Sequence, residues 1–109
     1  FSTAYAATKA LVVALGEGLW GELQGTGVDV LTLTPGATES EAAANQGFDP
    51  AKMTNVQPAR ECAALALDNL ANGATFCPNP HYRALLERMT AMPRQQALLA
   101  MAQGMRPKD

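Results

Sequence analysis

The chain has 109 residues, 48% of them apolar, and 8 basic against 10 acidic side chains give it a formal charge of −2. Those values fit at most one ordinary globular domain and exclude a disordered or collagen-like chain. No apolar run reaches the roughly 20 residues that cross a bilayer, and no charged start leads into an apolar stretch with a cleavage site, so neither a membrane span nor secretion is expected.

Residues 5 to about 24 are rich in Ala, Leu, Val, Glu and Lys, and Leu11, Val12, Leu15, Leu19 and Leu23 recur at helical spacing, which predicts a long helix. Gly16, Gly18 and Gly21 each cost such a helix about 1 kcal/mol relative to alanine. They signal either close approach by another backbone or a locally weak helix held by burial. Gly25-Thr26-Gly27 supplies residues that tolerate left-handed angles at the helix end. Residues 28–34 form a β-branched, largely apolar run stopped by Pro35-Gly36 and predict a strand. Apolar residues on both of its faces predict a central position in a parallel sheet covered by helices.

Residues 37–57 show no sustained period and predict a long loop with a short helix around 39–45; loops of that length are functional lids or disordered. Pro58, in a first turn, predicts a helix to about residue 70 that Asn72-Gly73 stops. Residues 74–77 predict a short strand, and residues 85–105 one or two amphipathic helices interrupted near Pro93. The expected fold class is α/β, mostly helical in the part present. A central parallel strand needs a neighbour on each side, and one short candidate is too few. With an opening at Phe1 rather than methionine, the inventory predicts a piece of a longer protein whose remaining strands lie upstream.

Tyr5 and Lys9 stand four residues apart on the first helix, so their side chains share a face and reach the same small ligand. A phenol titrates near 10 in water, and an adjacent ammonium favours the phenolate, which is what proton transfer near neutral pH requires. The ammonium's three donors can also hold vicinal sugar hydroxyls. Other reactive side chains have plainer readings. Cys62 and Cys77 are too few for a disulfide framework and, with the single His81, cannot complete a zinc site; no metal is expected, and reduced thiols fit a cytoplasmic protein. Cys62 is expected in the core and His81 in a surface loop. Residues 1–79 carry Lys9, Lys52 and Arg60 against eight acids, whereas residues 80–109 carry five basic groups against Glu87 and Asp109. Without stacking aromatics beyond Tyr82, that basic tail does not make a nucleic-acid footprint.

The string Tyr5-Ala-Ala-Thr-Lys9-Ala10, followed by Gly18-Leu19-Trp20-Gly21-Glu22-Leu23, Gly27-Val28-Asp29-Val30 and Thr34-Pro35-Gly36, closely resembles the short-chain dehydrogenase/reductase family from its catalytic tyrosine onward. The resemblance covers residues 1 to about 77 and implies the C-terminal part of a Rossmann-type doubly wound parallel sheet. It divides the chain into a catalytic helix and strand (1–36), a substrate loop (37–57), a helix and short strand (58–77) and a helical tail (78–109). It implies an NAD- or NADP-dependent oxidoreductase that interconverts a carbonyl compound and an alcohol, and a homo-oligomer in the complete protein.

By the same resemblance Tyr5 is the proton donor and acceptor, and Lys9 supports it and binds the nicotinamide ribose. Pro35, Gly36 and Ala37 form the turn against the nicotinamide, and Thr38 and Ser40 place hydroxyls near its carboxamide and the pyrophosphate. For Thr38 and Ser40 an ordinary turn into a capped helix is the competing reading. The family's glycine-rich phosphate loop, active-site asparagine and catalytic serine all precede its tyrosine. Ser2 and Thr3 are too close to Tyr5 to serve as that serine, so the 109 residues are expected to be inert alone. Two further readings remain: a non-catalytic helical assembly module, or peripheral membrane association through residues 82–105. For the stripe of Met89, Met92, Met101 and Met105, packing within or between subunits is favoured over a membrane anchor.

Overall fold

The computed structural model describes residues 2–45, 47 and 49–106. Phe1 and the last three residues of the tail, which the sequence-derived boundaries include, lie outside the described residues. Helix α1 spans Thr3–Glu22 and begins after Ser2, whose side chain makes no capping hydrogen bond. Its end is fixed by side chains and by glycine. Gln24 Nε2 donates to the Trp20 carbonyl at 2.8 Å and Thr26 Oγ1 to that of Leu23 at 2.6 Å, while Gly25 and Gly27 adopt φ of 77° and 82°.

The chain then runs to strand β1, Thr32–Leu33, which pairs in parallel with β2, Thr75–Phe76, with Thr32 opposite Thr75 and Leu33 opposite Phe76. The expected strand over residues 28–34 is thus shortened to a two-residue ladder. Hydrogen bonds from Thr32 N to Ala74 O and from Thr34 N to Phe76 O, both 2.9 Å, bound the pairing. Among the described residues β1 has a neighbour on one side only, and an extended segment without a partner forms no ladder. The architecture is α/β, mostly helical, with a small parallel sheet.

Between the strands lie α2, Ala42–Asn45, a 3₁₀ turn at Pro50–Lys52, and α3, Ala59–Asp68. Helix α2 starts three residues later than the sequence suggests, because Ser40 Oγ accepts from Ala42 N at 3.3 Å and caps it there. Pro58 occupies the cap position of α3 rather than its first turn, and Asn69, not Asn72-Gly73, closes the helix by donating from Nδ2 to Leu65 O at 2.8 Å. The tail folds as α4, Pro80–Ala91, and α5, Arg94–Gly104, which pack on each other. Asn79 Oδ1 accepts from His81 N at 3.0 Å and starts α4 five residues earlier than expected, placing His81 in a helical first turn instead of a loop. Pro93 separates the two helices because the residue before a proline avoids helical angles, and Met92 has ψ of 152°.

Helix α1 packs across both strands, and Gly16 is its point of closest approach: a Cβ there would run into the Thr32 side chain. Gly18 and Gly21 face open space among the described residues, so the close-approach reading holds for Gly16 alone. The buried apolar residues are Cys62, Cys77, Pro78 and Ala97, joined by polar Thr32, Gln57 and Asn79. No residue of α1 is buried.

Candidate active site

A cleft of about 590 Å³ opens between α1, the end of β1 and the loop that follows it. Tyr5 and Lys9 line it from the helix, Pro35 and Gly36 from the strand end, and Thr38 and Ser40 from the loop. Six of the seven residues named from the sequence therefore meet at one cavity, although 31 positions separate Lys9 from Ser40. The seventh, Ala37, does not line it; its carbonyl is instead turned to Gln57 N, which donates to it at 2.9 Å.

Each side chain has a local cause for its position. The i, i+4 spacing on α1 brings Lys9 Nζ to 5.3 Å from the centroid of the Tyr5 ring. Tyr5 is half exposed, and among the described residues its hydroxyl makes no hydrogen bond and Lys9 makes no ion pair. Both polar groups are thus free to meet a ligand. Val12 and Val13, three and four residues beyond Lys9 and so one turn further along the same face, add an apolar lining to the cleft.

The two ends of the loop are tied to each other by a parallel bridge between Thr38 and Gln57, in which Gln57 O also accepts from Glu39 N at 3.0 Å. Within that frame Thr38 Oγ1 donates to Gly36 O at 3.1 Å and keeps lone pairs to accept, while Ser40 Oγ accepts from Ala42 N and keeps a proton to donate. The turn-and-cap reading and the ligand-facing reading of these two hydroxyls are therefore compatible. Gly36 is flanked on its far side by Tyr82, whose ring a Cβ at position 36 would strike. Tyr82 Oη in turn donates to Thr54 O at 3.5 Å, next to Met53 on the cleft wall.

Lys9 is the charged side chain lining the cleft among the described residues, and no cluster of His, Cys, Asp and Glu there could hold a metal ion. A string with the spacing Gly-x-x-x-Gly-x-Gly does occur, at Gly21, Gly25 and Gly27. Gly21 lies in the last turn of α1 and Gly25 and Gly27 just beyond its C-terminus, where carbonyls rather than N–H groups point outward, so the string terminates a helix and does not cradle phosphate. The sequence reading missed Gln57, Tyr82 and Met53. Gln57 and Tyr82 act through contacts 19 and 46 positions from the residues they touch, Thr38 and Gly36, and no local pattern announces such contacts. No family model, curated protein or solved structure matches the chain.

Proposed function

We propose that this chain is the proton-transfer and nicotinamide-facing part of an NAD- or NADP-dependent oxidoreductase of the short-chain dehydrogenase/reductase type, acting on a carbonyl/alcohol pair. The observation that carries the reading is the convergence of Tyr5, Lys9, Pro35, Gly36, Thr38 and Ser40 on one cleft. In this reading the sheet is the C-terminal part of a doubly wound Rossmann-type sheet whose other strands another segment supplies.

The cleft suits the nicotinamide riboside end of the cofactor. It has a flat wall at Pro35-Gly36 and a cation with three donors at Lys9. Among the described residues it offers no further cation and no helix N-terminus of useful length for the pyrophosphate, so that end is assigned to residues outside this cleft. A bound nicotinamide supplies or accepts the hydride. In carbonyl reduction the Tyr5 hydroxyl donates its proton to the substrate oxygen, and in alcohol oxidation it takes one back. Lys9 stabilises negative charge as it develops on the phenol oxygen and donates to the ribose hydroxyls. Thr38 accepts from the carboxamide amine, Ser40 donates toward the phosphate side, and Val12 and Val13 offer apolar contact.

The test is Tyr5→Phe in the full-length protein, assayed by nicotinamide oxidation across a panel of aldehydes and ketones. Removal of the proton donor is expected to lower turnover by about 10²- to 10⁴-fold while leaving the helix content unchanged. Undiminished turnover would refute the role.

A further inference from the structure

A second cavity, of about 500 Å³, lies between α4, α5 and the end of the sheet. Thr34, Pro35 and Gly36 are walls of both cavities, but the second has a different chemistry. It is an open groove with aliphatic and thioether walls, from half-buried Leu85 and Met89 and exposed Leu86 on α4 and from Ala100 and Met101 on α5. Its volume falls in the range that holds a small organic ligand, and methionines let such a wall adapt to a flexible chain.

The polar groups at its edge are almost all spent. Thr34 Oγ1 donates to Phe76 O at 3.3 Å, Tyr82 Oη to Thr54 O at 3.5 Å and Cys77 Sγ to Asn79 O at 3.7 Å. Arg88 is the exception. It lines the cavity and, among the described residues, makes no hydrogen bond or ion pair. An apolar chamber with one uncommitted guanidinium recognises a ligand with an apolar body and a single anionic end. The surrounding tail has the matching sign, with Arg83 and Arg94 near Arg88 in sequence and Glu87 the acid of α4.

We infer that this chamber binds a single-chain anionic amphiphile of the fatty-acyl carboxylate class, the chain lying between α4 and α5 and the carboxylate on Arg88. The inference stands on the chamber alone and does not require the reaction assigned to the first cleft.

Calorimetric titration of the chain with decanoate and with 1-decanol, both below the concentration at which they self-associate, tests it. Decanoate is expected to bind one per chain. Arg88→Gln is expected to weaken decanoate about tenfold and leave decanol unchanged. Met89→Trp, which fills the chamber from α4, is expected to weaken both at least as much, with Ala100→Phe, which fills it from the α5 wall, as the second filling variant should the first not fold. Failure of decanoate to saturate, binding indifferent to either filling variant, or binding to phosphatidylglycerol vesicles without binding of monomeric decanoate would overturn the proposal. Nicotinamide turnover reads the first cleft separately, so loss of one result leaves the other standing.

Discussion

Gly36 satisfies two demands in the space of one residue: it forms a wall shared by both cavities and it admits the Tyr82 ring against its Cα. Gly36→Ala forces a methyl into that ring, and overpacking of this kind costs about 1–3 kcal/mol. The variant is expected to unfold at lower denaturant than the parent, and Tyr82→Ala combined with it is expected to recover part of the loss; equal midpoints for Gly36→Ala and the parent would remove the contact from the account. Pro35-Gly36 was legible in the sequence as a strand-ending turn, because both residue types punctuate the chain by themselves. Tyr82 was not legible as its neighbour, since 46 positions intervene and an aromatic residue carries no address. Lys9 is a similar case in part. Its spacing from Tyr5 could be read directly, whereas its lack of an acidic partner among the described residues had to come from the fold. Lys9→Met retains the methylene stem while removing the donors, and it is expected to raise the cofactor KM of the full-length protein while leaving helix content unchanged; an unaltered KM would take the ribose contact away from Lys9.

At the scale of the element, α1 separates two kinds of glycine. Gly16 lies against Thr32 and Gly18 faces open space. Alanine is expected to act with opposite sign at the two positions. Gly18→Ala stabilises by up to about 1 kcal/mol through helix propensity, whereas Gly16→Ala destabilises because the side chain of Thr32, buried in β1, must move. Thermal unfolding followed by circular dichroism reads both, and a shared direction would contradict the packing described for α1 on the sheet. Helices are the most readable elements because their signals are local: a helix over the α1 segment and the break at Pro93 are both present, and Pro58 stands at the start of α3, one place earlier than expected, while the apolar stripe of α1 stays exposed. The Asn79-Pro80 start of α4 is an equally local signal, five residues ahead of the apolar residues from which the helix is expected. The length of β1 could not be read locally, since a ladder exists only where a partner strand supplies it.

The whole molecule exposes more than its mass warrants. Its accessible surface is 8321 Å², against about 5,800 Å² for a compact monomer of 11.4 kDa, and its radius of gyration is 15.5 Å against about 13 Å. Exposed apolar side chains include several on α1, where Leu11 is 65% and Leu15 59% exposed. A surface of that kind is ordinarily covered. In solution the chain is expected to sediment above 11.4 kDa in a concentration-dependent way, and Leu11→Glu with Leu15→Glu to return it to that mass. A monomer at every concentration would contradict the expectation.

The central claim is that the cleft beside Tyr5 receives the nicotinamide riboside end of a dinucleotide, and titration of reduced nicotinamide mononucleotide into the isotopically labelled chain tests it most directly by nuclear magnetic resonance. Signals of Lys9, Gly36, Thr38 and Ser40 are expected to shift together along one saturation curve while those of Met89 and Ala100 stay in place. Stationary signals at those four residues, or shifts confined to the chamber between α4 and α5, would contradict it.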